Sequence, residues 1–210
     1  MLREQYRMHE DIMAYPSMHF YRNELKAHDL VAKHLAVPGD DPVVFIDTAG
    51  CGFEEVTSEG SKSTANPEEA RLLIRYMQQY VEGLPETALD LSIGLISPYK
   101  AQVGLLRQLF AESEKLSQLP GKTSINTVDA FQGQERDIIF ISMVRSNQHQ
   151  EIGFLKDIRR MNVSMTRARM KLVMTGDSST LGNHPFYKGL IDFLVEKGYY
   201  HSAFEYPELL

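Results

Sequence analysis

Three stretches of this chain set arginines, hydroxyls and carboxylates at spacings that suit phosphate chemistry. Between Lys156 and Lys171 six basic side chains (Lys156, Arg159, Arg160, Arg167, Arg169 and Lys171) stand against one acid, Asp157. Read as a helix over 157–168, the stretch puts Arg160, Ser164 and Arg167 at i, i+4 and i+7 on one face, with Met161, Met165 and Ala168 turned away to pack. A guanidinium fork held on a packed helix meets a γ-phosphate through two parallel bonds and stabilises charge as the phosphoryl group departs. A second stretch, Gln5-Tyr6-Arg7-Met8-His9, sets an aromatic ring beside a cation. The ring can stack on a nucleobase while the arginine reaches phosphate. The third runs from Thr127 to Asp137 and enters an apolar segment through a glycine turn. Gly133 lets backbone come close to a ligand, and Glu135 can accept a hydrogen bond from a ribose hydroxyl. Thr127 and Asp129 stand at the carboxyl end of a strand, where open α/β sheets bind ligands. Ser97-Pro98-Tyr99 closes another strand with a hydroxyl for phosphate and a ring for base or sugar.

Each feature has a plainer alternative. The basic run reads equally as a solvated helix face. His9 reads as a cap or core group, Gln132 as a buried amide that orders its turn, and Tyr99 as a packed tyrosine between strand and helix.

The elements that must position these residues follow an α/β order. VVFID (43–47), IGLIS (93–97), SINTV (124–128), DIIFISMV (137–144) and KLVMTG (171–176) are short apolar runs with β-branched residues, nearly continuous rather than alternating, as in strands covered on both faces. A helix is predicted over 66–83, with Asn66 as N-cap, Pro67 at the first position, two glutamates in the first turn and Gly83 at the stop. Further helices are predicted over 99–116, 157–168 and 186–197. The alternation implies a mostly parallel sheet with helices on both faces. Residues 48–66 read as a long exposed loop. Residues 1–35 show helical patches and no strand, and read as a linker or edge segment leading into the domain at 36–210.

The chain has 210 residues, 43% hydrophobic and 24% charged, which excludes a mainly disordered chain. Its single cysteine, Cys51, excludes an internal disulfide and a multi-cysteine zinc site, and the seven histidines are scattered, so no metal site is expected. No apolar run reaches membrane-spanning length and the start is too polar for a signal peptide, so no membrane partner is expected, and the location is expected to be cytoplasmic or nuclear. A net charge of −6 excludes bulk attraction to nucleic acid, so any such site must be a local patch. Two phosphate-binding motifs are incomplete. Gly121-Lys122-Thr123 lacks the upstream glycine of a P-loop, where Leu116 stands, and is followed by a strand instead of a helix. Asp47-Thr48-Ala49-Gly50 looks like a GTPase switch, but no P-loop precedes it.

Taken together, Gln-Tyr-Arg-Met-His at 5–9, Thr-Val-Asp-Ala-Phe-Gln-Gly-Gln-Glu at 127–135 and Arg-Arg-Met-Asn-Val-Ser-Met-Thr-Arg-Ala-Arg at 159–169 resemble the C-terminal RecA-like domain of superfamily 1B, Upf-like helicases, from about residue 2 to residue 180. The resemblance implies an α/β RecA-like fold and roles for particular residues. Arg167 and Arg7 would contact the γ-phosphate of ATP, Tyr6 would pack on adenine, and Glu135 would hold ribose, with Gln5 and Gly133 completing the nucleotide set. Ser97, Pro98, Tyr99, Thr127, Asp129, Arg145 and Asn147 would hold single-stranded DNA or RNA. The resemblance also implies Mg²⁺ held by an N-terminal RecA-like domain, because this sequence has neither a P-loop nor an Asp-Glu pair to supply those contacts. The chain is therefore expected to be the second motor half of a longer protein, inactive by itself. A non-catalytic RecA-like module for docking or passive strand binding is the alternative.

Overall fold

The structure is a computed structural model that describes residues 3–57, 63–88, 90–119 and 123–210. In chain order it runs β1 (Glu4–Gln5), α1 (Glu10–Phe20), β2 (Lys26–Ala27), α2 (Asp29–Ala32), β3 (Val43–Asp47), β4 (Val56–Thr57), β5 (Thr64–Ala65) and α3 (Pro67–Glu82). It continues with β6 (Ile93–Ser97), α4 (Lys100–Glu112), α5 (Glu114–Ser117), β7 (Thr123–Thr127), β8 (Arg136–Ser142), α6 (Ile158–Met165), β9 (Ala168–Gly176), α7 (Ser178–Leu181), α8 (Pro185–Lys197) and β10 (Tyr200–Ser202).

Six strands form one parallel sheet in the order β10-β3-β9-β8-β6-β7. Side chains alternate across each strand, so the continuous apolar runs feed two cores. Phe45, Ile139, Ile141 and Met174 join the cluster under α1, α6 and α8. Val44, Ile46, Phe140 and Val173 join the cluster under α3 and α4. The doubly covered parallel sheet expected from the sequence is thus present. No helix among the described residues is long and apolar enough to cross a membrane.

The start of α3 forms as its residues dictate. The Asn66 side chain accepts from the Glu69 N–H at 3.0 Å, and Pro67 occupies the first turn. Elsewhere the structure corrects the reading. The predicted helix over 99–116 breaks at Ser113, whose hydroxyl caps the short α5. The helix predicted over 157–168 ends at Met165, because Ala168 already begins β9. Part of the loop at 48–66 is an antiparallel pair, β4 with β5; residues 58–62 lie outside the described residues, as do Gly121 and Lys122. Within residues 1–35, two short parallel strands form where none is expected, and Met8, Ile12, Met13 and Tyr15 are buried in the core. The main-chain N–H of His9 donates to Arg169 O at 2.8 Å, tying this segment to β9.

Candidate functional site

Residues far apart in sequence line one cavity of about 560 Å³, among them Gln5, Tyr6, Arg7, Glu135, Thr166 and Arg167. The turn at 5–8 is built by Gln5, whose side-chain oxygen accepts from the N–H groups of Arg7 and Met8, both at 2.7 Å, while its amide donates to Met8 O at 2.8 Å. That turn projects Tyr6 outward, 62% exposed, with one ring face stacked on His28 at 4.3 Å. The other face is open to a planar ligand. His9 caps α1, its Nδ1 accepting from the Asp11 N–H at 3.1 Å, so it is a structural group.

Arg7 Nε donates to Glu135 at 2.5 Å, and its Nη1 donates to Thr166 O at 3.2 Å. Arg169 pairs with the other oxygen of Glu135. Burial pushes the Glu135 carboxyl up, but the hydrogen bonds from Arg169 and Arg7 outweigh it and hold the group below the usual carboxylate range. Arg167 lies beyond the end of α6, which corrects the shared face with Arg160 and Ser164. Its Nε donates to Val163 O at 3.0 Å and its Nη1 to Gln134 O at 3.1 Å. Both partners are neutral carbonyls. Burial and the neighbouring Arg7 lower the pKa of this guanidinium. Gly133 turns the chain at φ +80° but does not line the cavity.

The residues expected to hold a strand divide into two layers. Pro98, Thr127 and Asp129 line a second cavity of about 320 Å³ with Lys100, Phe154 and Arg160. Asp129 is exposed and pairs with Arg160 at 3.3 Å. Ser97 and Tyr99 are only 0% and 2% exposed, so neither presents a surface to a ligand here. Tyr99 is a packed tyrosine whose hydroxyl accepts from Arg145 Nη1 at 3.3 Å and from the Phe154 N–H at 3.1 Å. Arg145 is itself buried against Glu55, with Nε and carboxylate 2.9 Å apart. The Asn147 amide folds its own turn, donating to Glu55 at 3.0 Å and to Glu151 O at 2.9 Å. Gln132 is exposed, not a buried amide. Lys171 belongs to no solvated face either. It is 1% exposed, and its ammonium donates to Asp40 and to Asp41 O.

Residues 1–179 match the AAA domain family. The chain belongs to this family. Relatives of this AAA domain include the DNA-binding protein SMUBP-2 of Rattus norvegicus, 41% identical over 98% of this chain and 21% of that protein. The DNA polymerase alpha-associated DNA helicase A of Saccharomyces cerevisiae is 39% identical over 86% of this chain and 28% of its own length. Helicase sen1 of Schizosaccharomyces pombe is 37% identical over 91% of this chain and 11% of its own length. The AAA domain thus spans between about a tenth and somewhat over a quarter of these curated relatives. Among solved structures, the C-terminal domain of a possible DNA helicase from Lactobacillus plantarum shares the fold, with a TM-score of 0.50 over 94% of this chain and 98% of that one at 13% identity. The resemblance carried by the three motif stretches, to the second RecA-like domain of superfamily 1B helicases, holds.

The role of Glu69 in the AAA domain is not visible in the sequence. Glu69 is fully buried and accepts from Ser142 Oγ at 2.5 Å, the Val144 N–H at 3.0 Å and Thr175 Oγ1 at 3.3 Å. Burial pushes its carboxyl up to about 7 against those bonds. It holds Val144 at φ +74°, a conformation that costs a β-branched residue roughly 1–3 kcal/mol. Asp47 of the Asp-Thr-Ala-Gly run is likewise engaged. It accepts from the Ser178 N–H and hydroxyl and from Tyr200, which ties β3 to α7 and β10 and leaves the switch reading without its metal-binding aspartate. Among the described residues no group of three or more His, Cys, Asp or Glu gathers to hold a metal ion.

Proposed function

We propose that this AAA domain is the second motor domain of an ATP-dependent superfamily 1 helicase. In this reading it presents Arg7 and Arg167 to the γ-phosphate of ATP bound between it and a P-loop-bearing RecA-like domain. It grips single-stranded DNA or RNA along the carboxyl rim of its sheet, at Pro98, Thr127 and Asp129, with Ser97, Tyr99, Arg145 and Asn147 as the layer behind them. Mg²⁺ would sit on the partner domain with the P-loop.

The observation that carries the reading is the convergence of Gln5, Tyr6, Arg7, Glu135 and Arg167 on one cavity. Tyr6 offers an open ring for adenine, and Glu135 offers carboxylate lone pairs for ribose. Arg167 holds a half-buried positive charge whose hydrogen bonds among the described residues go to main-chain carbonyls, with Glu135 nearby, which leaves it able to meet an incoming polyphosphate. Arg7 is paired, but its pair with Glu135 is about one-third exposed on each side and is worth about 1 kcal/mol or less. A triphosphate can therefore compete for it. Closing the cleft on ATP would draw both arginines onto the γ-phosphate, and hydrolysis would release them.

The test is ATP hydrolysis by the longer protein, with and without single-stranded nucleic acid, for wild type and Arg167→Ala. Strand-stimulated turnover that falls at least about a hundredfold in the variant is expected. Turnover indifferent to the substitution would remove Arg167 from the site. Absence of strand-stimulated turnover in the wild type would favour the docking module.

A further inference from the structure

The strand-binding motif presents no exposed ring of its own, because Tyr99 is buried. An aromatic from another segment stands in front of it. Phe154 is 50% exposed and lines the cavity that Pro98, Lys100, Thr127 and Arg160 also line. Its ring lies 5.3 Å from that of Tyr99, tilted by 45°, and its N–H donates to the Tyr99 hydroxyl at 3.1 Å. Gly153 precedes it at φ +52°, where a Cβ would meet Arg145 and the Tyr99 hydroxyl. The ring is thus fixed from behind by a buried chain that runs from Glu55 through Arg145 to Tyr99.

We infer that Phe154 is the stacking platform for a base of the bound single strand, with Lys100, Arg160 and Thr127 meeting the flanking phosphates. An exposed aromatic plate beside cations and a hydroxyl is the combination that single-strand sites use. A phenylalanine has no polar atom with which to read a base edge, so stacking there is indifferent to base identity. On a molecule of net charge −6 the cations act locally, and Arg160 exchanges its exposed pairs with Asp129, which also lines the cavity, and Asp157 for a strand phosphate. The inference rests on the strand-gripping half of the proposed function.

The sequence contains no tryptophan, so Phe154→Trp gives a fluorophore at the platform alone. The chain is titrated with an oligothymidylate of about 12 nucleotides, within the usual span of such sites, and with an abasic oligomer of equal length. Quenching by the thymidylate and not by the abasic strand is expected. Phe154→Ala should weaken thymidylate binding roughly tenfold to a hundredfold while leaving abasic binding unchanged. Phe154→Leu, which keeps bulk without a π-face, should behave like the alanine variant, and circular dichroism reports whether each variant folds. Tight binding of both oligomers with no quenching and no loss in Phe154→Ala would overturn the platform and leave strand gripping intact. If the wild-type chain binds neither oligomer, the strand-gripping reading falls and the platform falls with it.

Discussion

The arginines around the cavity lined by Tyr6 and Glu135 differ in what already neutralises them. Arg7 and Arg169 share Glu135, while Arg167 donates to the main-chain carbonyls of Val163 and Gln134. That difference came from the fold. In sequence Arg167 continues a helical face, and only the early start of β9 turns it off α6 and over the cavity. Glu69 was equally hidden, since a glutamate in a first helical turn normally faces water. Its burial has a consequence for stability. The folded carboxyl titrates at about 7, above its ordinary 4.5. Between those values the native state keeps a proton that the unfolded chain has released, so the stability due to this group falls as pH rises through the window. Glu69→Gln removes the titration. The difference in Tm, variant minus wild type, should grow by about 5 °C between pH 5 and pH 8. His9 contributes in the opposite sense. Burial lowers its pKa despite the nearby Asp11 and Glu10, so its share of stability rises with pH towards its ordinary value. It is present in both proteins and cancels. A pH-independent difference in Tm would mean that Glu69 is not the titrating group.

At the scale of elements, Gly94 in β6 is where packing and site meet. A Cβ there would lie 2.6 Å from Ile139 Cδ1 and 2.9 Å from the ring of Phe131. Phe131 belongs to the turn that follows Thr127, so Gly94→Ala presses from below on the loop proposed to hold the strand. Overpacking of this kind costs about 1–3 kcal/mol. A lower urea midpoint is expected, with single-strand affinity reduced more than nucleotide affinity. Equal losses in both would show a general loosening. The central strands were readable to within about three residues because they are buried on both faces and carry unbroken apolar runs. The short pairs β1 with β2 and β4 with β5 were not readable, because two-residue strands have no periodicity to detect and form only when tertiary contacts hold them. Phe154 was missed for a related reason. It sits in a single 3-10 turn, Gly153–Lys156, too short for a periodicity to show, and nothing in its neighbours' spacing distinguishes an exposed ring from a core residue. For Tyr99 the structure shows the packed arrangement that the sequence leaves open, since its motif places it at a strand end and says nothing of depth.

In the proposed reading the whole molecule carries one half of the contacts that a phosphoryl-transfer site needs. Its sequence has no P-loop, so the isolated chain should show no ATP turnover above background, and a fluorescent ATP analogue should bind weakly, at Kd values in the high micromolar range or above (about −5 kcal/mol or less favourable). Nucleotide affinity should fall further in Arg7→Ala and Tyr6→Ala. Measurable turnover by the isolated chain would contradict the division of labour proposed above. The fold class was legible from strand and helix alternation, but the strand order was not, because it depends on pairings between distant segments. That order has a further consequence during biosynthesis. Both sheet neighbours of β3 come late: β9 begins about 125 residues downstream, and β10 later still. At ribosomal rates of about 5–20 residues per second, VVFID waits roughly 6–25 s for its first partner. Through that interval the nascent chain displays a naked apolar strand, which is a natural ligand for a ribosome-associated chaperone, and a ribosome stalled before residue 168 would release a product that cannot shield it.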